Sequence, residues 1–462
     1  MCIIFNNISY IVEKSKNISR RRIVMKFEQF DKQIIKNNIK YSVDKITEII
    51  QEIGPRESGS KQAFEAMELL KKDLENCADE IHYEEYKMAP KAFTHFTKTV
   101  GASMIAAIGA GCVCKYADLS KLGKVGKALK NPVVPHALVA GTALAGLGIT
   151  AVEFLFYKEF CDKFYKKVTG RNLVATRKAT GETKKRIVIS GHVDSAYEWR
   201  HTYYGKGKGM TPIMVGSIAT AITSAVLSVL STVLTAKGCK GKFVDVLTNK
   251  GFLVHLFTII NKITLYLFVD FNRVVPGAND NLTGTMAAVA ALKMLEEAGI
   301  DFKHTEVVAM ITDGEEAGLR GAKDFAKKHY KEYVESGVET SVLCVDTLTD
   351  LEYLNVYNRD MTGTVQHDQK FCQLVMDAAN EAGHNSLEFA NVFFGSSDAA
   401  AFTKEGISAT CLAAMDPGPA DYYHNRRDSY DRLVPEAIQA GYDVIMSTIL
   451  CVVTVPILMS IV

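Results

Sequence analysis

The sequence is short of net charge, of paired cysteines and of repeats, and each shortage removes a class of protein. Lysine and arginine total 54 against 52 aspartates and glutamates, a net charge of +2. No global field therefore draws the chain to nucleic acid or to anionic lipid, and no nucleic-acid partner is expected. Ten cysteines are scattered, with Cys112 and Cys114 the one close pair, inside an apolar run. A disulfide framework is not expected, and a reducing compartment fits better. No internal repeat or low-complexity tract is present. A secretory signal is not expected either, because the apolar stretch at residues 2–12 precedes the basic cluster Arg20-Arg21-Arg22, the reverse of signal order.

Charge is also missing locally. Residues 99–114, 131–152 and 209–236 carry none, and residues 251–269 are interrupted only by His255 and Lys262. Two of these runs, 131–152 and 209–236, are long enough to cross a hydrocarbon core of about 30 Å as helices. Residues 99–114 are marginal, and 251–269 must accommodate Lys262. They pair into two helical hairpins, joined by the basic loops 115–130 and 237–250. Such a hairpin enters and leaves a bilayer on one side. A soluble helical cap or a dimer interface is the alternative, and the sequence assigns no oligomeric state.

Outside these runs the chain reads as globular. Hydrophobic residues make up 48% and charged residues 23%, which excludes global disorder. Residues 27–74 have helical spacing broken at Gly54-Pro55, and 80–88 read as a strand. Strands are predicted at 172–177, 186–190, 306–312, 342–346 and 407–412. Helices are predicted at 282–298, 319–330, 369–382 and from Pro435 onward. Strand alternating with helix predicts an α/β fold, a three-layer α/β/α sandwich around a mostly parallel mixed sheet. The expected organisation is an N-terminal extension at 1–26, catalytic segments at 27–98, 158–208 and 272–462, and helical insertions at 99–157 and 209–271.

Ligand-capable residues fall at strand ends of this pattern. His192 and Asp194 close one strand at i and i+2, on one face. They read as a metal-bound imidazole with a carboxylate holding its other nitrogen, or as a polar strand end. Asp280 lies in Pro276-Gly277-Ala278-Asn279-Asp280-Asn281, before an alanine-rich helix. It reads as a helix cap or as a carboxylate bridging two metals. Glu315-Glu316 follow a strand, where adjacent carboxylates repel unless positive charge absorbs them. Asp346 ends another strand, and His424 sits in a polar loop after Tyr423. Each segment alone has a bland reading. Together they supply the donors a zinc pair requires.

The ordered set His-x-Asp, Gly-Ala-x-Asp-Asn-x-x-Gly, Glu-Glu-x-Gly-Leu-x-Gly, Asp and Tyr-His-x-x-x-Asp resembles the co-catalytic zinc aminopeptidases, the family of aminopeptidase S, aminopeptidase Y and bacterial leucyl aminopeptidase. The resemblance spans roughly 300 residues without the insertions, and the Gly54-Pro55-Arg56 turn resembles the start of that family's catalytic domain. It implies two zinc ions per chain, His192 and Asp346 on one, Glu316 and His424 on the other, and Asp280 bridging. Glu315 would be the general base and Asp194 would orient His192. The implied activity is removal of N-terminal residues from a peptide substrate. Carboxypeptidase, dipeptidase and single-zinc glutaminyl cyclase activities are alternatives on the same fold. A non-enzymatic relative, as in the transferrin receptor ectodomain, predicts lost ligands, whereas all are present. The chain departs from the family at Ser397-Asp398-Ala399-Ala400, where relatives often have Ser-Asp-His, and in its apolar insertions. With those insertions, a lipid bilayer is the expected second partner. The expected location is a membrane, with the catalytic domain cytoplasmic.

Overall fold

Strand alternation sets the layers. In a strand, successive side chains point to opposite faces. The computed structural model describes residues 26–205, 210–392, 394–418 and 420–454. The expected N-terminal extension at 1–26 therefore lies outside the described residues but for Lys26.

In chain order the strands are β1 (Glu80–Met88), β2 (Val168–Arg177), β3 (Lys185–His192), β4 (Tyr197–Trp199), β5 (Val269–Val274), β6 (Thr305–Thr312), β7 (Glu339–Leu348), β8 (Leu354–Asp360), β9 (Val365–Gln366), β10 (Phe389–Asn391) and β11 (Ser408–Ala414). The helices are α1 (Lys32–Glu48), α2 (Lys61–Leu74), α3 (Ala92–Tyr116), α4 (Gly123–Leu129), α5 (Val134–Thr150), α6 (Arg200–Gly205), α7 (Met210–Ala236), α8 (Lys242–Asp245), α9 (Gly251–Tyr266), α10 (Thr283–Glu297), α11 (Arg320–Lys328), α12 (Gln369–Glu381), α13 (Asp398–Lys404) and α14 (Pro435–Thr454).

The main sheet has the order β1-β2-β6-β3-β7-β11-β8-β10, with β9 on β8. Its middle, β6-β3-β7-β11, is parallel, and β1, β2 and β8 run antiparallel to their inner neighbours. The expected parallel character thus belongs to the centre, where buried strands need apolar residues on both faces. Ile187, Val307 and Leu343 face one core with α1, α2, α10, α12 and α14. Val188, Val308 and Val342 face a second core with α11 and α13. Three helices begin on the side chains their sequences offer. Asp31, Ser60 and Asp368 accept the backbone N–H of Gln33, Ala63 and Lys370 at the starts of α1, α2 and α12.

The two apolar insertions do not stand apart. Helices α3, α5, α7 and α9 pack as one four-helix bundle, α3 against α5 and α9, and α7 against the same two. Phe96, Val100, Met104, Ala143 and Ala225 form part of its interior. Small residues allow close approach: a Cβ at Gly101 would lie 2.9 Å from the Lys262 carbonyl oxygen. The outer surface exposes Val215, Ile222, Val226, Phe257 and Ile260.

Each insertion leaves and rejoins the sheet at one place. The first lies between β1 and β2, which pair antiparallel along their length. The second lies between β4 and β5, a two-stranded ribbon pairing Trp199 with Val269. Among the described residues, five helices are long and apolar enough to cross a membrane by length and composition, counting Pro435–Thr454. The apolar window of that last one is 78% buried and packs in the main core, whereas that of Lys242–Tyr266 is only 11% buried.

Candidate metal centre

The parallel strands deliver their carboxyl ends to one place, where sites form in open α/β sheets. His192 is the last residue of β3, and Asp313 to Glu316 follow β6. Asp346 lies within β7, which runs two residues further to Leu348 rather than ending there. His424 arrives on the loop between β11 and α14, and Asp280 on the irregular turn before α10.

Asp280 is the hub. Its Oδ1 lies 3.4 Å from His192 Nε2 and its Oδ2 lies 3.1 Å from His424 Nε2. His192 Nε2 is also 3.8 Å from Asp346 Oδ1, and His424 Nε2 is 3.3 Å from Glu316 Oε1. Two groups of potential metal donors result, His192–Asp280–Asp346 and Asp280–Glu316–His424, each with its ligand atoms within 4.8 Å of one another. Glu315 is in neither group, and its Oε2 lies 4.0 Å from His192 Nε2.

A metal pair fits the unmet demand here. His192 Nε2 and Glu316 Oε1 are buried without a hydrogen-bond partner. Burial drives Glu315 and Glu316 well above the usual carboxylate range, with neighbouring carboxylates adding to the shift. Burial works against charge on His192, but the carboxylates of Asp194, Asp280, Asp346 and Glu315 around it override this, and its pKa is raised well above the ordinary value. Three clustered carboxylates, Asp280, Glu316 and Asp346, and two imidazoles are the oxygen and nitrogen donors that zinc takes.

The turn holding Asp280 is fixed from several directions. Asp428 accepts the backbone N–H of Asn279 at 2.8 Å and of Asp280 at 3.0 Å. Asn281 donates to the Val345 carbonyl at 2.8 Å and accepts the backbone N–H groups of Gly284 and Thr347. A Cβ on Gly284 would stand 2.1 Å from the Val345 oxygen, so only glycine lets α10 begin this close to β7. Arg56, fully buried, donates to the carbonyls of Val193, Pro276 and Gly277 and so ties the His192 strand to the Asp280 turn.

Asp194 sits behind the cluster. Its backbone carbonyl lies 3.0 Å from His192 Nδ1, and its carboxylate Oδ1 3.5 Å. That carboxylate also accepts the backbone N–H groups of Glu315 and Glu316 and the Ser58 hydroxyl. His424 has a left-handed backbone, φ 48°, rare for a side-chain-bearing residue. It is clasped by Tyr423, stacked at 3.9 Å, and Trp199, edge-on at 4.3 Å, and its carbonyl accepts the Trp199 N–H.

All seven residues singled out in the sequence therefore meet at this centre. Sequence reasoning gave no role to Trp199, and weighed Asn281 only as a cap of the following helix and Asp398 only within a departure from the family's motif. Asp398 accepts the Thr312 hydroxyl at 2.6 Å, and burial pushes its pKa up to about 7. The Ser397-Asp398 pair was visible as a motif, but its approach to β6 was not.

Comparison with known proteins agrees with the fold. BSAP, a zinc aminopeptidase from Bacillus subtilis, aligns at 13% identity and TM-score 0.50, covering 89% of this chain and 94% of that one. A glutaminyl cyclase from Fimbriiglobus ruber aligns at 12% identity and TM-score 0.50, covering 95% and 99%. An aminopeptidase from Aneurinibacillus sp. strain AM-1 aligns at 13% identity and TM-score 0.49, covering 92% and 94%. No curated protein matches the sequence. Residues 265–449, which hold Asp280, Glu315, Glu316, Asp346 and His424, match Peptidase family M28, and the chain's resemblance to the co-catalytic zinc aminopeptidases stands on that match.

Proposed function

We propose that this chain is a two-zinc metallopeptidase that removes residues from the amino end of peptides. The observation that carries the reading is the division of Asp280, one oxygen toward each histidine, between two complete donor groups. His192, Asp280 and Asp346 would hold one ion, and Asp280, Glu316 and His424 the other. Two complete groups favour a pair of ions over the single zinc of a cyclase. When bound, the ions supply Lewis acidity, which lowers the pKa of a water toward about 7 and polarises the scissile carbonyl.

The chain's own residues supply the rest. Glu315, outside both groups and raised in pKa, is suited to take a proton from the attacking water and deliver it to the leaving amine. Asp194, at His192 Nδ1, fixes the tautomer that turns Nε2 toward the cluster. The adjoining cavity favours an amino end. Its described lining includes Asp280, Glu315, Glu316 and Asp346 but no lysine or arginine to meet a terminal carboxylate.

The two insertions place this enzyme at a membrane in our reading, with the bundle in the bilayer and the catalytic domain cytoplasmic. Support comes from the apolar outer faces of α7 and α9. Lys262 points inward instead and donates to Thr220 Oγ1 at 2.7 Å. The nine described cysteines are all free, as a reducing compartment allows.

The test compares a free-amine peptide with its acetylated twin, with and without chelator. Cleavage of the free-amine peptide alone, abolished by chelator, is expected. Glu315→Gln is expected to keep its metals and lose at least about 100-fold in turnover. Equal cleavage of both peptides would reject the aminopeptidase reading, and near-normal turnover of the variant would reject Glu315 as the base.

A further inference from the structure

The net charge of the chain is small, but its charges are unevenly placed. The loops that join the bundle helices in pairs, residues 115–130 and 237–250, hold five and four lysines. Asp118 and Asp245 are the only acidic residues there, in a chain whose total charge is +2. The loops are far apart in sequence, yet they adjoin at the end of the bundle away from the sheet. Lys115 Nζ donates to the Thr248 carbonyl at 2.8 Å and stands 5.4 Å over the Phe252 ring. The Tyr116 and Phe252 rings lie 6.5 Å apart.

These lysines have no internal counter-charge. All but Lys115 are exposed, and among the described residues none of them forms a salt bridge. Asp118 is engaged locally, accepting the Ser120 N–H at 3.0 Å. Apolar side chains interleaved with the lysines also face outward, with Tyr116 58%, Leu122 53%, Val125 62% and Phe243 73% exposed. Leu230 and Val233, exposed on α7, continue this apolar surface along the bundle. A bilayer interface suits that mixture, because lysine stems and rings lie against acyl chains while the ammonium groups reach the headgroups. The length of the bundle agrees. From Phe93 to Tyr116, helix α3 covers about 35 Å. A bundle entering hydrocarbon at its catalytic end would therefore bring its tip out beyond a core of about 30 Å.

We propose that the tip of the bundle is a docking surface for anionic phospholipid headgroups. The inference rests on the bilayer reading of the bundle and adds the class of lipid at its far end. Charge complementarity supplies the attraction, since each lysine near an anionic surface strengthens binding by roughly fivefold. Composition separates lipid from nucleic acid. Neither loop contains an arginine, the residue that clasps a phosphate with two hydrogen bonds. The surface instead presents point charges, which suit a layer of headgroups. Val125 and Phe243 call for hydrocarbon beside the phosphates, which a nucleic-acid backbone does not offer.

The experiment purifies the full chain in neutral detergent with an equimolar mixture of phosphatidylglycerol and phosphatidylcholine. Native mass spectrometry then counts the lipids retained per chain. Phosphatidylglycerol is expected to exceed phosphatidylcholine by at least about fivefold in about 0.1 M salt, and the excess to shrink at about 1 M, where screening is stronger. Combining Lys121→Gln, Lys124→Gln, Lys127→Gln and Lys240→Gln is expected to remove most of the excess, whereas Lys→Arg at the same four positions keeps it. Equal retention of the two lipids, or an excess that the glutamine variant leaves unchanged, overturns the docking surface. The bilayer reading is judged separately, by an alkaline carbonate wash. If the wash releases the chain, the lipids are offered as vesicles, of phosphatidylcholine alone or with phosphatidylglycerol, and capture is read by flotation. Lysine-dependent capture by the anionic vesicles alone then supports the surface while the spanning bundle falls, and no capture overturns both. Tighter retention of a double-stranded oligonucleotide than of phosphatidylglycerol assigns the tip to nucleic acid and overturns the proposal.

Discussion

Asp280 and its neighbours illustrate how a site is held by residues far away in sequence. The turn that presents Asp280 is anchored by Asp428, which burial and the Asp280 carboxylate push up to about 7 even though the backbone N–H groups of Asn279 and Asp280 favour its charged form. His329 shows the same logic away from the site. Its Nδ1 lies 2.9 Å from Glu332 and its Nε2 2.7 Å from Glu84, and these two carboxylates raise its pKa from 6.5 to about 9. A raised imidazole stabilises the fold fully below its unfolded value, and the contribution is lost as pH rises through the folded one. His329→Gln is therefore expected to cost about 1 kcal/mol at pH 6, after allowance for solvent screening, and little at pH 9.5. Thermal melts of both proteins across that range check it. An equal deficit at both pH values would show that packing on Phe325, at 4.2 Å, matters instead. At this scale the ligand-capable residues were legible because their motifs are short and local. The roles of Arg56 and Trp199 were not, because their partners come from distant segments, as when Arg56 meets Pro276 and Gly277.

At the scale of elements, the long apolar runs were the plainest signal in the sequence, and their partnership was the hidden part. Each run predicted a helix, and the structure gives helices at all four. Residues 99–114 looked marginal as a span because the charge-free run is shorter than the helix, which extends over Ala92–Tyr116. Nothing in periodicity showed that the two insertions share one bundle, since that depends on contacts such as Gly101 against α9. The strands β1, β2, β3, β6, β7 and β11 were legible in the sequence. The ribbon β4–β5 and the strands β8, β9 and β10 were missed, being short or rich in polar residues, as in Leu354–Asp360 with its Asn, Arg and Asp. The bundle carries its own prediction. With apolar residues such as Phe257 80% exposed on its outer face, the protein is expected to remain in the pellet after an alkaline carbonate wash and to require detergent for release. Recovery in the soluble fraction would leave the bundle as a cap over the cavity instead.

For the whole molecule, the sheet, the turn before α10 and the His424 loop converge on one electrostatic problem. Asp280, Glu315, Glu316 and Asp346 gather beneath the surface with the histidines His192 and His424. Burial and neighbouring carboxylates oppose the ionisation of Glu315 and Glu316, and two divalent cations would balance the negative charge of the cluster. The ordered motifs made this reading available from sequence, while the sharing of Asp280 between two donor groups needed coordinates. The claim is most directly tested by the zinc content of the purified full chain, measured by elemental analysis beside Asp280→Ala. Two zinc ions per chain are expected in the unaltered protein, and fewer than two in the variant, because one substitution removes a donor from both groups. A single ion in the unaltered protein, or two tightly held ions in Asp280→Ala, would contradict the shared two-metal centre.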